Sequence, residues 1–133
     1  MIARPIHVAI LDDEPSVRTA LVRLLKAAEM TAHAYATSAE LFQSIALKRP
    51  DCLLLDLQMP ETSGLDVLNY LHQRHIRIPT IIITGHDEKT SCEACLKAGA
   101  VAYLIKPMDA DQLIQTIEDV AGSSSSGTLA PLG

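Results

Sequence analysis

Val8-Ala9-Ile10-Leu11-Asp12-Asp13-Glu14-Pro15 is the stretch on which the fold turns. Four apolar residues in a row, with no polar alternation, describe a strand buried on both faces. The run stops at two aspartates. Pro15 suits the first turn of a helix, where its missing N–H costs nothing. Val17, Leu21, Leu24, Leu25 and Ala28 then recur at helical spacing. Strand, turn and amphipathic helix follow one another here, and strand–helix alternation continues along the chain, without an internal sequence repeat.

Four more runs have strand character: Ala34-Tyr35-Ala36, Cys52-Leu53-Leu54-Leu55, Ile81-Ile82-Ile83 and Val101-Ala102-Tyr103-Leu104-Ile105. The Ala34 run is the weakest and suits a sheet edge. Ser38 caps a helix carrying Leu41, Phe42, Ile45 and Ala46. Leu65, Leu68, Leu71 and His72 mark a third helical stripe, and Cys92, Cys95 and Leu96 a fourth that Gly99 closes. Asp109 with Gln112 resembles a capping box ahead of Leu113, Ile117, Val120 and Ala121. Repeated strand–helix alternation implies an α/β fold: a five-stranded parallel sheet, doubly wound by five helices with right-handed crossovers. The flavodoxin-like order 2-1-3-4-5 is one solution, with its site at the switch point between strands one and three.

The chain of 133 residues suits one domain, since domains most often run ~100–150 residues. An apolar fraction of 48% and a charged fraction of 20% fit a packed core. A net charge of −5 argues against a general nucleic-acid-binding surface on this chain. No apolar run reaches the ~20 residues that span a bilayer, and the first residues read as a strand, not a signal peptide. Three Cys make no disulfide framework, so a reducing cytoplasm is expected. Residues 1–121 are expected to form the domain. Gly122 to Gly133, with Ser123 to Ser126 and no charge, reads as a flexible linker or an appended tail.

The chemistry lies where the strands end. Asp12 and Asp13 follow the first strand, Asp56 the third, Thr84 the fourth and Lys106 the fifth. Ligands of an open parallel sheet bind outside the carboxyl ends of its strands, so these residues converge. Clustered carboxylates repel unless a cation intervenes, and Mg²⁺ favours one or two carboxylates with water and phosphate oxygens. Lys106 adds a point charge for an anion, and Thr84 a hydroxyl donor. Such a set suits phosphoryl transfer to Asp56, because that catalysis is mostly positioning and charge neutralisation.

Asp12-Asp13-Glu14, Asp56-Leu57-Gln58-Met59-Pro60, Ser63-Gly64, Thr84-Gly85 and Lys106-Pro107 together resemble the receiver domain of two-component response regulators. Met59-Pro60 and Ser63-Gly64 resemble the branch whose regulators carry a helix-turn-helix output domain. The resemblance implies that Asp56 accepts a phosphoryl group from a histidine kinase or a histidine phosphotransfer protein. It implies Mg²⁺ or Mn²⁺ on Asp13, Asp56 and the backbone carbonyl of Gln58, with Asp12 acting directly or through water. Lys106 would pair with the phosphoryl oxygens, Thr84 would move to bond them, and Tyr103 would rotate inward. Gly85 would leave room for the phosphoryl group, and Gln58 and His86 would tune its lifetime. A cis bond is expected between Lys106 and Pro107. The implied protein is a cytoplasmic phosphoprotein switch, not a turnover enzyme, with self-catalysed phosphotransfer and dephosphorylation. Its output would be transcription through a separate DNA-binding domain, or protein contact by a stand-alone receiver. Phosphorylation would favour a homodimer through the fourth helix, fifth strand and fifth helix. This domain itself would bind neither nucleic acid nor membrane.

Other readings are weaker. Asp12 and Asp13 could simply favour the positive end of the first helix. An aspartyl-phosphate phosphohydrolase would need a second acid two residues after Asp56, where Gln58 stands. A flavodoxin-like carrier would need a phosphate cradle where Asp12-Asp13-Glu14 would repel phosphate. Cys92-Glu93-Ala94-Cys95 spaces two thiols as a metal or redox pair would, but no further ligands stand at suitable spacing, so the reading is core packing.

Overall fold

The computed structural model describes residues 4–85 and 89–125. Five strands, β1 (His7–Leu11), β2 (Thr31–Tyr35), β3 (Cys52–Asp56), β4 (Thr80–Thr84) and β5 (Ala102–Ile105), alternate with α1 (Pro15–Ala27), α2 (Ser38–Leu47), α3 (Gly64–Gln73), α4 (Lys89–Lys97) and α5 (Ala110–Ser125). Every strand pair is parallel, and the order is β2-β1-β3-β4-β5, as the sequence predicts.

Side-chain alternation splits the core in two. Val8, Ile10, Cys52, Leu54, Ile81 and Ile83 point to one face, where Leu21 and Leu25 of α1 and Leu113, Ile117 and Ala121 of α5 cover them. Ala9, Leu11, Leu53, Leu55 and Ile82 point to the other, under Leu41 and Ile45 of α2, Val67, Leu68 and Leu71 of α3 and Cys95 of α4. Each fully buried aliphatic side chain stabilises the fold by roughly 1.5–3 kcal/mol. Because β1, β3 and β4 are buried on both faces, their ends are held rigidly, and so is whatever follows them.

Local chemistry corrects several expectations. The edge strand β2 runs from Thr31 to Tyr35 rather than from Ala34 to Ala36. Its outward Thr31 and His33 alternate with inward Ala32, and an edge strand tolerates that polarity. Thr37, not Ser38, caps α2: its hydroxyl accepts the Glu40 N–H at 3.2 Å. In α3 the buried stripe takes Val67 beside Leu68 and Leu71, while Leu65 is only half-buried; His72 is exposed, as expected of a histidine on the helix surface. In α4 Cys92 and Cys95 are fully buried, but Leu96 is 41% exposed. The last helix, α5, continues past Ala121 to Ser125. Extending a formed helix adds one bond per residue, which is far easier than starting one, so Gly122 and the serines prolong it. Residues 126–133 lie outside the described residues.

Two backbone details place the loops. Gly99 closes the α4 turn at φ +117°, a conformation that side chains rarely adopt. Gly64 opens α3 pressed against the end of β3. A Cβ there would lie 3.0 Å from the Asp56 carbonyl oxygen and 3.1 Å from the Leu57 Cα. Ser63 fixes that approach with a capping box: its hydroxyl accepts the Asp66 N–H at 3.1 Å, and Asp66 accepts the Ser63 N–H at 3.2 Å.

Candidate functional site

Asp12 leaves the end of β1 and is 1% exposed; Asp56 ends β3 and is 5% exposed. Oxygens of Asp12, Asp13 and Asp56 lie within 4.8 Å of one another. The sheet alone brings these residues together, since β1 and β3 are neighbours paired Leu11 to Leu55. Asp12 is firmly held. Its N–H donates to the Tyr35 carbonyl at 3.3 Å, one carboxylate oxygen accepts the Glu14 N–H at 2.9 Å, and the other accepts the Lys106 ammonium at 3.1 Å.

Lys106 arrives from the far edge. Its N–H donates to the Thr84 carbonyl at 2.8 Å, which continues the β4–β5 pairing one step past the strand. The Lys106–Pro107 bond is cis. The ammonium lies 3.1 Å from Asp12, 3.8 Å from Glu14 and 3.9 Å from Asp56. Burial opposes its charge, but bonding to Asp12 and the charges of Asp12, Asp56 and Glu14 outweigh that, and its pKa is raised.

Asp56 is the frustrated member. Its pKa is raised to about 7, first by burial, then by the Asp12 charge; Lys106 and the Gln58 N–H pull the other way, and hydrogen bonding to Asp13 adds to the rise. The Gln58 N–H reaches Asp56 at 3.3 Å. Among the described residues one ammonium therefore faces three clustered carboxylates and Glu14, and that set is short of positive charge. A set of hard oxygen donors with that deficit fits a hard divalent cation such as Mg²⁺ or Mn²⁺.

Thr84, at the end of β4, is fully buried. Tyr103 is half-buried on β5 and packs with the core under α2, α3 and α4. Around the exposed Gly85, an added Cβ would meet no heavy atom of the described residues within 4 Å. His86 lies outside the described residues. The thiols Cys92 and Cys95 are fully buried in α4, and burial followed by the Cys92 neighbour pushes the Cys95 thiol up.

Two contributors escaped the sequence reading. Arg18 donates from α1 to the Asp12 carbonyl at 2.8 Å. Glu14, quoted only within a motif, faces Lys106. A helical spacing places Arg18 near the start of α1, but only the folded turn shows which acceptor it finds.

The family description "Response regulator receiver domain" matches residues 8–118. The DNA-binding transcriptional regulator NtrC of Escherichia coli is 37% identical over 109 residues, 82% of this chain and 23% of NtrC. The response regulator protein TodT of Pseudomonas putida is 33% identical over 108 residues, 81% of this chain and 48% of TodT. The chain thus spans less than half the length of either relative. Among solved structures, a response regulator receiver protein from Burkholderia phymatum superposes with a TM-score of 0.78 at 37% identity, covering 88% of this chain and 95% of that one. Full-length FixJ from B. japonicum gives 0.83 at 27% identity, over 92% of this chain and 60% of that one. With a single family description running from the first strand into the last helix, this chain belongs to the response regulator receiver domain family.

Proposed function

We propose that the chain is a phosphorylation-controlled switch in which Asp56 accepts a phosphoryl group from a phosphohistidine of a histidine kinase or histidine phosphotransfer protein. The supporting observation is a buried carboxylate, raised to about 7, 3.9 Å from the Lys106 ammonium and within an acid cluster. A carboxylate oxygen of Asp56 forms the new bond to phosphorus as the phosphorus–nitrogen bond of the donor imidazole breaks, and the bonding pair returns to the donor nitrogen. Asp13, Asp56 and the Gln58 carbonyl would hold Mg²⁺ or Mn²⁺, with Asp12 acting directly or through water. The metal supplies charge neutralisation for the incoming phosphoryl oxygens. Lys106 moves from the acids to those oxygens as a point charge. Thr84 bonds the phosphoryl group, Tyr103 follows inward, and Gly85 leaves access. Gln58 and His86 set how long the phosphoaspartate lasts, and the domain itself speeds uptake and loss of the group without being a turnover enzyme.

The output is a change of association through α4, β5 and α5. Leu96, Val101 and Ile105 are 41%, 50% and 38% exposed along that side, apolar area that a second copy would cover. The resemblance to a DNA-binding transcriptional regulator supports transcription as the downstream step, carried by a domain other than this one. A cytoplasmic setting goes with that role. No helix among the described residues is long and apolar enough to cross a membrane.

Sedimentation of the wild type and Thr84→Ala, each with and without a beryllofluoride phosphoryl mimic and Mg²⁺, tests the coupling. The wild type should shift from monomer towards dimer, and Thr84→Ala should respond weakly. An unshifted wild type with an occupied site would exclude self-association as the output. A fully responsive Thr84→Ala would remove the hydroxyl from the mechanism.

A further inference from the structure

The turn after β1 must hold two like charges close together and still leave their oxygens open. Asp12 and Asp13 are consecutive, and the peptide between them is the only covalent link that sets their relative direction. Arg18 of α1 reaches back and donates from its guanidinium to the carbonyl of that peptide at 2.8 Å. The same turn of helix carries a bond from the Arg18 N–H to the Glu14 carbonyl at 3.1 Å, so the side chain starts from a fixed backbone position. Arg18 is half-buried and makes no ion pair with a carboxylate among the described residues.

Where the bond lands matters. A guanidinium beside clustered carboxylates would ordinarily pair with one of them, often through two hydrogen bonds, and would compete with a cation for the same oxygens. Here it takes a backbone carbonyl instead. The turn is restrained and positive charge is brought near the acids, yet no carboxylate oxygen is consumed. Asp12 spends its own oxygens on the Glu14 N–H and Lys106, which leaves Asp13 as the freer acid of the pair.

We propose that Arg18 is a positioning residue for the cation site, orienting the Asp12–Asp13 peptide so that Asp13 faces Asp56. This deepens the reading of the site given above and rests on it. Groups that orient metal ligands without touching the metal commonly carry a 10–100-fold share of affinity. Arg18→Met keeps the aliphatic stem and removes the donors, and should weaken Mg²⁺ binding by roughly tenfold at an almost unchanged melting temperature. Phosphorylation of the same variant by acetyl phosphate should need more Mg²⁺ for half-maximal rate, yet reach a near wild-type rate once Mg²⁺ saturates. Arg18→Lys, which can still donate to the carbonyl, should recover most of the loss.

Calorimetric Mg²⁺ titration and acetyl phosphate labelling of the wild type, Arg18→Met and Arg18→Lys decide the matter, with Arg18→Leu, which also lacks a donor, replacing the Met variant if that does not fold. Wild-type Mg²⁺ affinity in Arg18→Met would overturn the proposal. So would a rate deficit that saturating Mg²⁺ leaves in place, or a loss that Lys does not relieve. A wild type that neither binds Mg²⁺ nor takes up phosphoryl would instead remove the underlying reading, and this inference with it.

Discussion

Two aspartates bracket a single strand and live under opposite rules. Asp51 stands just before β3, where Arg4 donates to both its carboxylate oxygens at 2.6 Å and the His7 N–H adds a third bond at 2.8 Å. Its pKa is lowered, first by the bond from Arg4. Asp56 closes the same strand, receives a backbone bond from the Gln58 N–H at 3.3 Å, lies 3.9 Å from the Lys106 ammonium, and is raised to about 7. Residue type and strand are shared, so environment alone separates them. At the amino end the charge is satisfied and ties the chain start to β1 and β3. At the carboxyl end the charge is buried beside like charges, and the fold keeps it at a cost. A carboxylate held that way is available to a cation or a phosphoryl group, as the proposed function requires.

Removing the frustrated charge should give the largest stability effect. Between its ordinary value near 3.8 and about 7, native Asp56 binds a proton that the unfolded chain has lost, so stability falls as pH rises through that window. Without divalent ions, Asp56→Asn should be more stable than the wild type at pH 8 by on the order of 2 kcal/mol. That advantage should vanish near pH 4, and Mg²⁺ should narrow it at pH 8. Urea unfolding at the two pH values measures both. A wild type as stable as Asp56→Asn at pH 8 without metal would erase the contrast between the two ends.

Cation binding should follow the same geography. Asp13→Asn should weaken Mg²⁺ binding by about tenfold, because each carboxylate ligand contributes charge as well as an oxygen. Asp12→Asn should cost less, since Asp12 already spends its oxygens on Lys106 and the Glu14 N–H. Calorimetric titration ranks the two; equal or reversed losses would reject the assignment.

Much of this was legible in the sequence, for a physical reason. Strands buried on both faces must be apolar throughout, so Val8 to Leu11, Cys52 to Leu55 and Ile81 to Ile83 announce themselves, and the polar residue that ends each run marks the site. β2 was misplaced because Thr31 and His33 alternate with alanines at an edge. The Arg4–Asp51 clamp and the Arg18 bond left no signal. Each depends on the folded register, and the first joins residues 47 positions apart.

At the amino end the signs reverse and the effects shrink. Asp51→Asn should lower stability at pH 7 by less than the Asp56 change alters it. Because Asp51 is depressed below its ordinary value near 3.8, its contribution is present above that value and lost as pH falls through the lower native one. The gap between wild type and Asp51→Asn should therefore close below about pH 4. A gap that persisted there would mean that packing, not charge, carries the clamp.

The smallest effect belongs to His7. Both its ring nitrogens are buried without a hydrogen-bond partner among the described residues, and the ring meets His33 edge-on at 5.2 Å between centroids. Its pKa is lowered, first by burial, then by His33 and Lys48, so the wild type should lose some stability as pH falls below about 6.5. His7→Phe should flatten that slope. Melting temperatures between pH 5 and pH 7 would check it, and an unchanged slope would assign the loss to another group.

The central claim is that the carboxylate at the frustrated end of β3, and not the satisfied one at its start, takes the phosphoryl group. Intact-mass measurement after incubation with acetyl phosphate and Mg²⁺ tests it on three proteins. The wild type and Asp51→Asn should each gain one acid-stable, base-labile phosphoryl group, and Asp56→Asn should gain none. Undiminished labelling of a folded Asp56→Asn protein would contradict the account.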